Sequence, residues 1–241
     1  MAAAFVATFS VACGQPDVKS KGADRTAGKS TAGDTNPATG QTAGSARRAR
    51  VVILGTSLTA GYGLDPADAY PTLLQQLADS ANFRVTILNA GLSGETSAGA
   101  LRRATWVLDQ PADVMVLEVG ANDGLRGVNP SDTQANIEAL VDTILGKQQT
   151  ARIVLVQMEA PPNLGRDYTT RFHNAYGTAA KNKNILLVPF LLDSVAGVGA
   201  LNQNDGIHPN RNGSRIVARN MFRALTPLFT ALSAGAPATP N

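Results

Sequence analysis

Cysteine is nearly absent: the 241 residues hold only Cys13, which excludes an intrachain disulfide framework and any metal site built from several thiolates. Histidine is scarce too, and His173 and His208 are too few for a His-rich metal centre. No apolar run reaches the roughly 20 residues that a membrane-spanning helix needs. The net charge of +3 does not make a nucleic-acid face either, because it is concentrated at one end. Residues 1–50 carry seven Lys and Arg (Lys19, Lys21, Arg25, Lys29, Arg47, Arg48 and Arg50) against three Asp, which leaves 14 basic and 15 acidic side chains beyond them. A Gly-x-x-x-x-Gly-Lys-Ser/Thr phosphate loop is missing, and Gly61-Tyr62-Gly63 lacks the third glycine and the following helix of a dinucleotide site. Both absences weigh against a nucleotide- or flavin-binding module, the rival reading from another functional class. There is no internal repeat.

What is present divides into a tail and a body. Residues 2–12, AAAFVATFSVA, form a short apolar segment with the length of a signal-peptide core rather than of a permanent anchor. Ala12 followed by Cys13 resembles the cleavage and lipidation site of bacterial lipoproteins, with ordinary secretory cleavage after Ser10-Val11-Ala12 as the alternative. Residues 1–13 are therefore expected to direct export, and Cys13 to carry a lipid tether that makes the protein extracytoplasmic and membrane-anchored. From Gly14 to Ala49 there is no Leu, Ile, Phe or Trp, so the segment cannot bury enough apolar surface to offset its chain entropy. Residues 14–49 are expected to be a disordered linker, spanning about 30 Å as a flexible coil. Arg47, Arg48 and Arg50 read as its solvated boundary. The folded domain is expected over residues 50–232, followed by a flexible tail at 233–241.

Within the body, short continuous apolar runs recur at Val51–Leu54, Val85–Leu88, Val114–Val119, Ile153–Val156 and Ile185–Val188, the pattern of strands buried on both faces. Helical stretches separate them at Tyr70–Ser80, Ala98–Leu108, Thr133–Leu145 and Thr170–Lys181, and a last helix is expected from about Asn212 to Leu232. This alternation predicts an α/β protein with a five-stranded parallel sheet covered on both faces, a three-layer α/β/α sandwich like flavodoxin. Ligands in such sheets bind beyond the carboxyl ends of the strands. The segments after the strands are therefore where chemistry is to be sought.

Those segments are Gly55-Thr56-Ser57-Leu58 after the first strand, Asn89 to Glu95 (NAGLSGE) after the second, and Gly120-Ala121-Asn122-Asp123 after the third, with Asp205-Gly206-Ile207-His208-Pro209-Asn210 late in the chain. A serine hydroxyl is a weak nucleophile that needs an adjacent base. His173 falls inside a predicted helix, whereas His208 lies on a loop punctuated by Gly206 and Pro209, three residues after Asp205. A turn there folds the carboxylate onto the imidazole, fixing its tautomer and stabilising the imidazolium. Ser57, His208 and Asp205 are thus the candidate nucleophile, general acid/base and orienter.

In order and spacing the four segments resemble the four signature blocks of the SGNH, or GDSL, hydrolase superfamily, and in particular its thioesterase/lysophospholipase/arylesterase branch. Thr56 stands where that family usually has Asp before the serine; that Asp is not the nucleophile. The resemblance implies an oxyanion hole made by the backbone N–H groups of Ser57 and Gly94 and the side-chain amide of Asn122. It implies a serine esterase or thioesterase that cleaves carboxylic esters (aryl esters, lysophospholipids or acyl thioesters) through an acyl-enzyme, with no metal or cofactor, acting on a small-molecule or lipid ester rather than on nucleic acid. A carbohydrate acetyl-esterase of the same superfamily, or a non-catalytic surface lipoprotein, are the other readings. Finally, the loop Glu159-Ala160-Pro161-Pro162-Asn163-Leu164-Gly165-Arg166 resembles the segment bordering the acyl pocket in that branch. Pro161 and Leu164 are accordingly expected to bind substrate, with Gly165 as a hinge.

Overall fold

The computed structural model describes residues 47–234. Segment 1–13 with Cys13, most of the expected linker and nearly all of the expected tail lie outside the described residues. Five strands form one wholly parallel sheet in the order β2-β1-β3-β4-β5: β1 Ala49–Gly55, β2 Val85–Gly91, β3 Val114–Glu118, β4 Arg152–Val156 and β5 Leu186–Val188. The central strand β3 is buried along its whole length, as are the last five residues of β1, which is why both read as unbroken apolar runs.

Among the described residues, seven α-helices accompany the strands: α1 Ser57–Ala60, α2 Tyr70–Ser80, α3 Ser97–Val107, α4 Ala121–Arg126, α5 Pro130–Lys147, α6 Arg166–Lys183 and α7 Arg211–Ser233. Helices α3, α5 and α6 pack side by side, and α2 packs on α7, giving the α/β/α sandwich that the alternation predicts. Helix α7 buries Val217, Met221, Leu225 and Phe229, spaced at one helical face, and Phe229 meets Phe83 edge-on at 5.8 Å. The short helices α1 and α4 were not expected. At four and six residues they are too brief to show a hydrophobic period, and each sits where a strand ends and the chain must turn at once.

The arginines read as a solvated boundary are part of the fold. Strand β1 begins at Ala49, and its neighbour β3 is preceded by Asp113, so basic residues at the start of one strand meet an acid at the start of the next. The Arg47 guanidinium donates to both Asp113 oxygens at 2.9 and 2.7 Å, the Arg50 N–H donates to the same carboxylate at 2.6 Å, and Arg48 Nε donates to the Val85 carbonyl at 3.0 Å. The Arg47 bond, ahead of the others, holds the Asp113 carboxyl below its ordinary range.

The strand order reverses between β1 and β3, so a crevice opens above their carboxyl ends. In register there, Gly55 at the end of β1 stands opposite Glu118 at the end of β3. Because Phe229, near the end of α7, packs on Phe83 just before β2 begins, at the end of the sheet opposite the crevice, Phe229→Ala should cost about 3–5 kcal/mol of stability, read as a shift in the urea midpoint. The kcat of the folded fraction should be unchanged.

Candidate active site

Ser57 opens α1 directly after β1, because Thr56 is extended and ends the strand while its hydroxyl accepts the Leu58 N–H at 3.4 Å, and Gly61 closes the turn in the left-handed region. Ser57 is 9 % exposed. Its Oγ lies 2.9 Å from His208 Nε2, and His208 Nδ1 lies 2.6 Å from Asp205 Oδ2. The other Asp205 oxygen accepts the backbone N–H groups of Ile207 and His208 at 2.9 and 3.0 Å, so one carboxylate both closes the turn and holds the ring. Gly206, at φ +70°, permits that turn. The loop is tied down by Gln203, whose backbone N–H donates to the His208 carbonyl at 2.7 Å and whose amide donates to the Tyr62 and Pro209 carbonyls. The Tyr62 ring lies over the imidazole with centroids 4.7 Å apart.

The His208 hydrogen bond, followed by the two backbone N–H groups, pulls the Asp205 carboxyl down to about 2. It is therefore ionised at neutral pH. A line of hydroxyl, imidazole and carboxylate in this geometry can remove a proton from Ser57 Oγ and hold the resulting imidazolium. His173, in α6, is elsewhere: it is exposed and its Nδ1 lies 2.7 Å from Glu159.

The second and third loops meet beside this line. The Asn122 amide donates to the Glu95 carbonyl at 3.0 Å, one residue from Gly94, and the Arg126 guanidinium donates to the Gly94 carbonyl at 3.1 Å. Gly94 has φ +79°, which a side chain would strain. Glu95 is itself buried and paired with Arg103 at 2.6 Å, and Arg103 also reaches the Ala90 and Gly55 carbonyls at 2.8 and 3.3 Å. One guanidinium thereby braces the ends of β1 and β2 against the loop that carries Gly94. Buried Asp123 does the same for the third loop, accepting the Ser97 N–H at 2.8 Å and hydroxyl at 2.5 Å.

A groove of about 420 Å³ starts at Ser57, His208 and Asn122 and runs outward between largely apolar walls that include Leu58, Leu125, Met158, Phe190, Leu192 and Ile207. Of the two residues expected to bind substrate, Pro161 lines the groove and Leu164 is not among its lining residues. The chain enters a 3-10 turn at Pro162–Leu164 and passes on through Gly165 into α6, so Pro161 and Pro162 form the wall while Leu164 comes after it. Gly94 is not among the residues that line the groove.

Residues 53–216 match the model of the GDSL-like lipase/acylhydrolase family. The chain belongs to that family. It is 35% identical over 181 residues to the esterase TesA of Pseudomonas aeruginosa, covering 74% of this chain and 89% of that protein. It is 36% identical over 179 residues to thioesterase 1/protease 1/lysophospholipase L1 of Escherichia coli K12, covering 74% of this chain and 84% of the relative. Among solved structures, that of the psychrotrophic esterase EstA from Pseudoalteromonas sp., inhibited by monoethylphosphonate, superposes with a TM-score of 0.71 at 34% identity over 75% of this chain and 98% of EstA. The protein is thus a serine-type ester hydrolase of the SGNH/GDSL superfamily.

Four features of this hydrolase's site escaped the sequence reading: Glu118 beneath the Ser57 turn, the Arg103–Glu95 pair, Asp123, and Tyr62 over the imidazole. Glu118 had a visible signal, a lone carboxylate in the apolar string Val114 to Val119. The others depend on which loops meet. Since of the two histidines His208 contacts Ser57 and His173 does not, His208→Ala should lower kcat by at least about 10³-fold, while His173→Ala should remain within about twofold of wild type. Steady-state hydrolysis of a p-nitrophenyl ester by the two variants measures both, and equal losses would contradict the assignment.

Proposed function

We propose that the protein hydrolyses carboxylic esters of medium-chain acyl groups through an acyl-enzyme on Ser57. The observation that carries this reading is the apolar groove, of a volume typical of ligand pockets, that begins at the Ser57–His208 contact. Ser57 Oγ attacks the ester carbonyl carbon while His208 Nε2 takes its proton. The tetrahedral oxyanion is met by the Ser57 and Gly94 backbone N–H groups and by the second hydrogen of the Asn122 amide, whose first is engaged with Glu95. Collapse expels the alcohol or thiol, which receives the proton from His208. Water then attacks the acyl-enzyme with His208 as base, releasing the acid and restoring Ser57 Oγ–H, while Asp205 stays ionised throughout. An aryl or thioester leaving group departs on the open side of the groove, and the names of the relatives include esterase, thioesterase and lysophospholipase. Apolar walls favour an acyl chain over the acetyl group of a substituted sugar, which would bury little surface there.

Export fits this reading, with residues 1–13 as the signal and Cys13 as lipid attachment site. No helix among the described residues is long and apolar enough to cross a membrane. Metabolic labelling with a fatty acid should mark the wild type and not Cys13→Ser, and label-free protein in the medium would instead favour ordinary signal cleavage.

A panel of p-nitrophenyl esters graded by chain length tests the acyl groove. Each added methylene that is buried contributes about 0.8 kcal/mol, so kcat/KM should rise about fourfold per carbon until the groove is filled. Asn122→Ala should lower kcat by about 10²- to 10³-fold at nearly constant KM for every member of the panel. A flat profile from acetyl upward would contradict the acyl assignment.

A further inference from the structure

Glu118 ends an otherwise apolar strand, is completely buried, and stands in register opposite Gly55, where the Ser57 turn begins. Its carboxylate accepts from the two residues that bracket Ser57 and Leu58. Thr56 donates its N–H at 2.8 Å and its hydroxyl at 2.9 Å; Thr59 donates its hydroxyl at 2.7 Å and its N–H at 3.3 Å. All of these donors are peptide or hydroxyl groups, so none brings a charge to oppose the carboxylate. Nothing in the reaction described above uses Glu118, yet a buried acid is costly and needs its bonds to persist. The packing is committed to it as well: a Cβ on Gly55 would lie 2.6 Å from Glu118 Oε2.

We propose that Glu118 is a positioning residue for this reaction: ionised, it clamps the turn that points Ser57 Oγ at His208, and its protonation loosens that clamp. The inference rests on Ser57 being the nucleophile. An ionised carboxylate is an acceptor only and suits a shell made of donors. Adding a proton puts an O–H among two N–H groups that cannot turn, so a threonine hydroxyl must reverse, and Thr59 Oγ1 is already 2.8 Å from the Tyr70 hydroxyl. Burial pushes the Glu118 carboxyl up to about 7, against the pull of the Thr56 and Thr59 bonds. The loosening thus falls at neutral pH rather than in acid.

The groups facing Glu118 are few. From α2 comes Tyr70, and from α6 Tyr176, both pushed by burial well above the ordinary phenol range and so uncharged. From α3 comes Arg103, which reaches the Gly55 carbonyl while paired to Glu95, and from α4 comes Asp123, which with Glu118 acts on Tyr176. His208 lies across Ser57. Glu118 must be ionised to hold the turn, and that requirement fails as pH falls. The acid limb of activity should therefore contain an ionisation that belongs to Glu118.

The test measures kcat and kcat/KM for p-nitrophenyl butyrate between about pH 5 and 9, with fluorophosphonate labelling and peptide mapping on each protein. Glu118→Gln is a fixed stand-in for the protonated acid. It should lower kcat by about 10²-fold, as expected for a misplacement near 1 Å, with KM within about twofold and the Glu118 ionisation missing from its acid limb. Thr59→Val keeps the bulk but removes one donor, so its acid limb should move to higher pH relative to its own plateau; this variant decides the matter if Glu118→Gln fails to fold. A Glu118→Gln enzyme with the wild-type kcat and limb, or a Thr59→Val limb that does not move, overturns the inference while the label still maps to Ser57. A label on another serine overturns the nucleophile assignment itself.

Discussion

The hydrogen bond of 2.9 Å between Ser57 Oγ and His208 Nε2 joins residues 151 positions apart, and the rest of the molecule is arranged so that this contact can close. Neither partner can be placed by local structure. Ser57 stands on a four-residue helix, and His208 on a loop whose regular pairing is the single bridge between Asn202 and Pro209. The sheet places β1 beside the central strand β3, where strand order reverses, and the late loop that carries His208 runs directly into α7. Small displacements matter, because a hydroxyl moved by an ångström loses the alignment on which proton transfer depends.

Polar groups around the crevice, most of them buried, supply the precision that short elements lack. Asp205 holds the imidazole, Arg103 with Glu95 braces two strand ends against the second loop, Asp123 fixes the third loop to α3, and Glu118 lies under the turn itself. Hydrogen bonds to charged groups contribute about 1.5–3 kcal/mol each, and removing one partner leaves a buried charge unsatisfied. Such networks are therefore rigid while complete. Thr56 belongs to this logic. An aspartate in its place would set a second carboxylate about 3 Å from Glu118, where two like charges cannot both ionise easily; threonine instead donates to it. The departure from the family pattern changes the electrostatics beneath the turn and leaves Ser57 Oγ 2.9 Å from His208 Nε2.

The sheet could be read from the chain because β1, β3 and β4 are buried on both faces and so carry continuous apolar runs, and the five long helices because they are amphipathic over three or more turns. The serine, the late histidine and its acid stood out because each is flanked by turn residues at a strand end or loop. Other features were hidden for physical reasons. Arg47 and Arg48 looked like linker because a charged run at a boundary has no periodicity, and their partners Asp113 and Asp79 come from other elements. Leu164 looked like a pocket residue because linear order cannot tell which side of a 3-10 turn faces the groove. Glu118 was passed over as part of a strand, although one acid among five apolar residues is the pattern a buried functional carboxylate leaves.

The central claim is that acyl transfer runs through Ser57 in the geometry described. Mass spectrometry of the intact protein, quenched within milliseconds of mixing with a p-nitrophenyl ester, tests it most directly. The account predicts a transient adduct of one acyl group, mapped to the peptide containing Ser57, formed with a burst of p-nitrophenol and absent in Ser57→Ala. Turnover without any adduct, or an adduct on another residue, would contradict it.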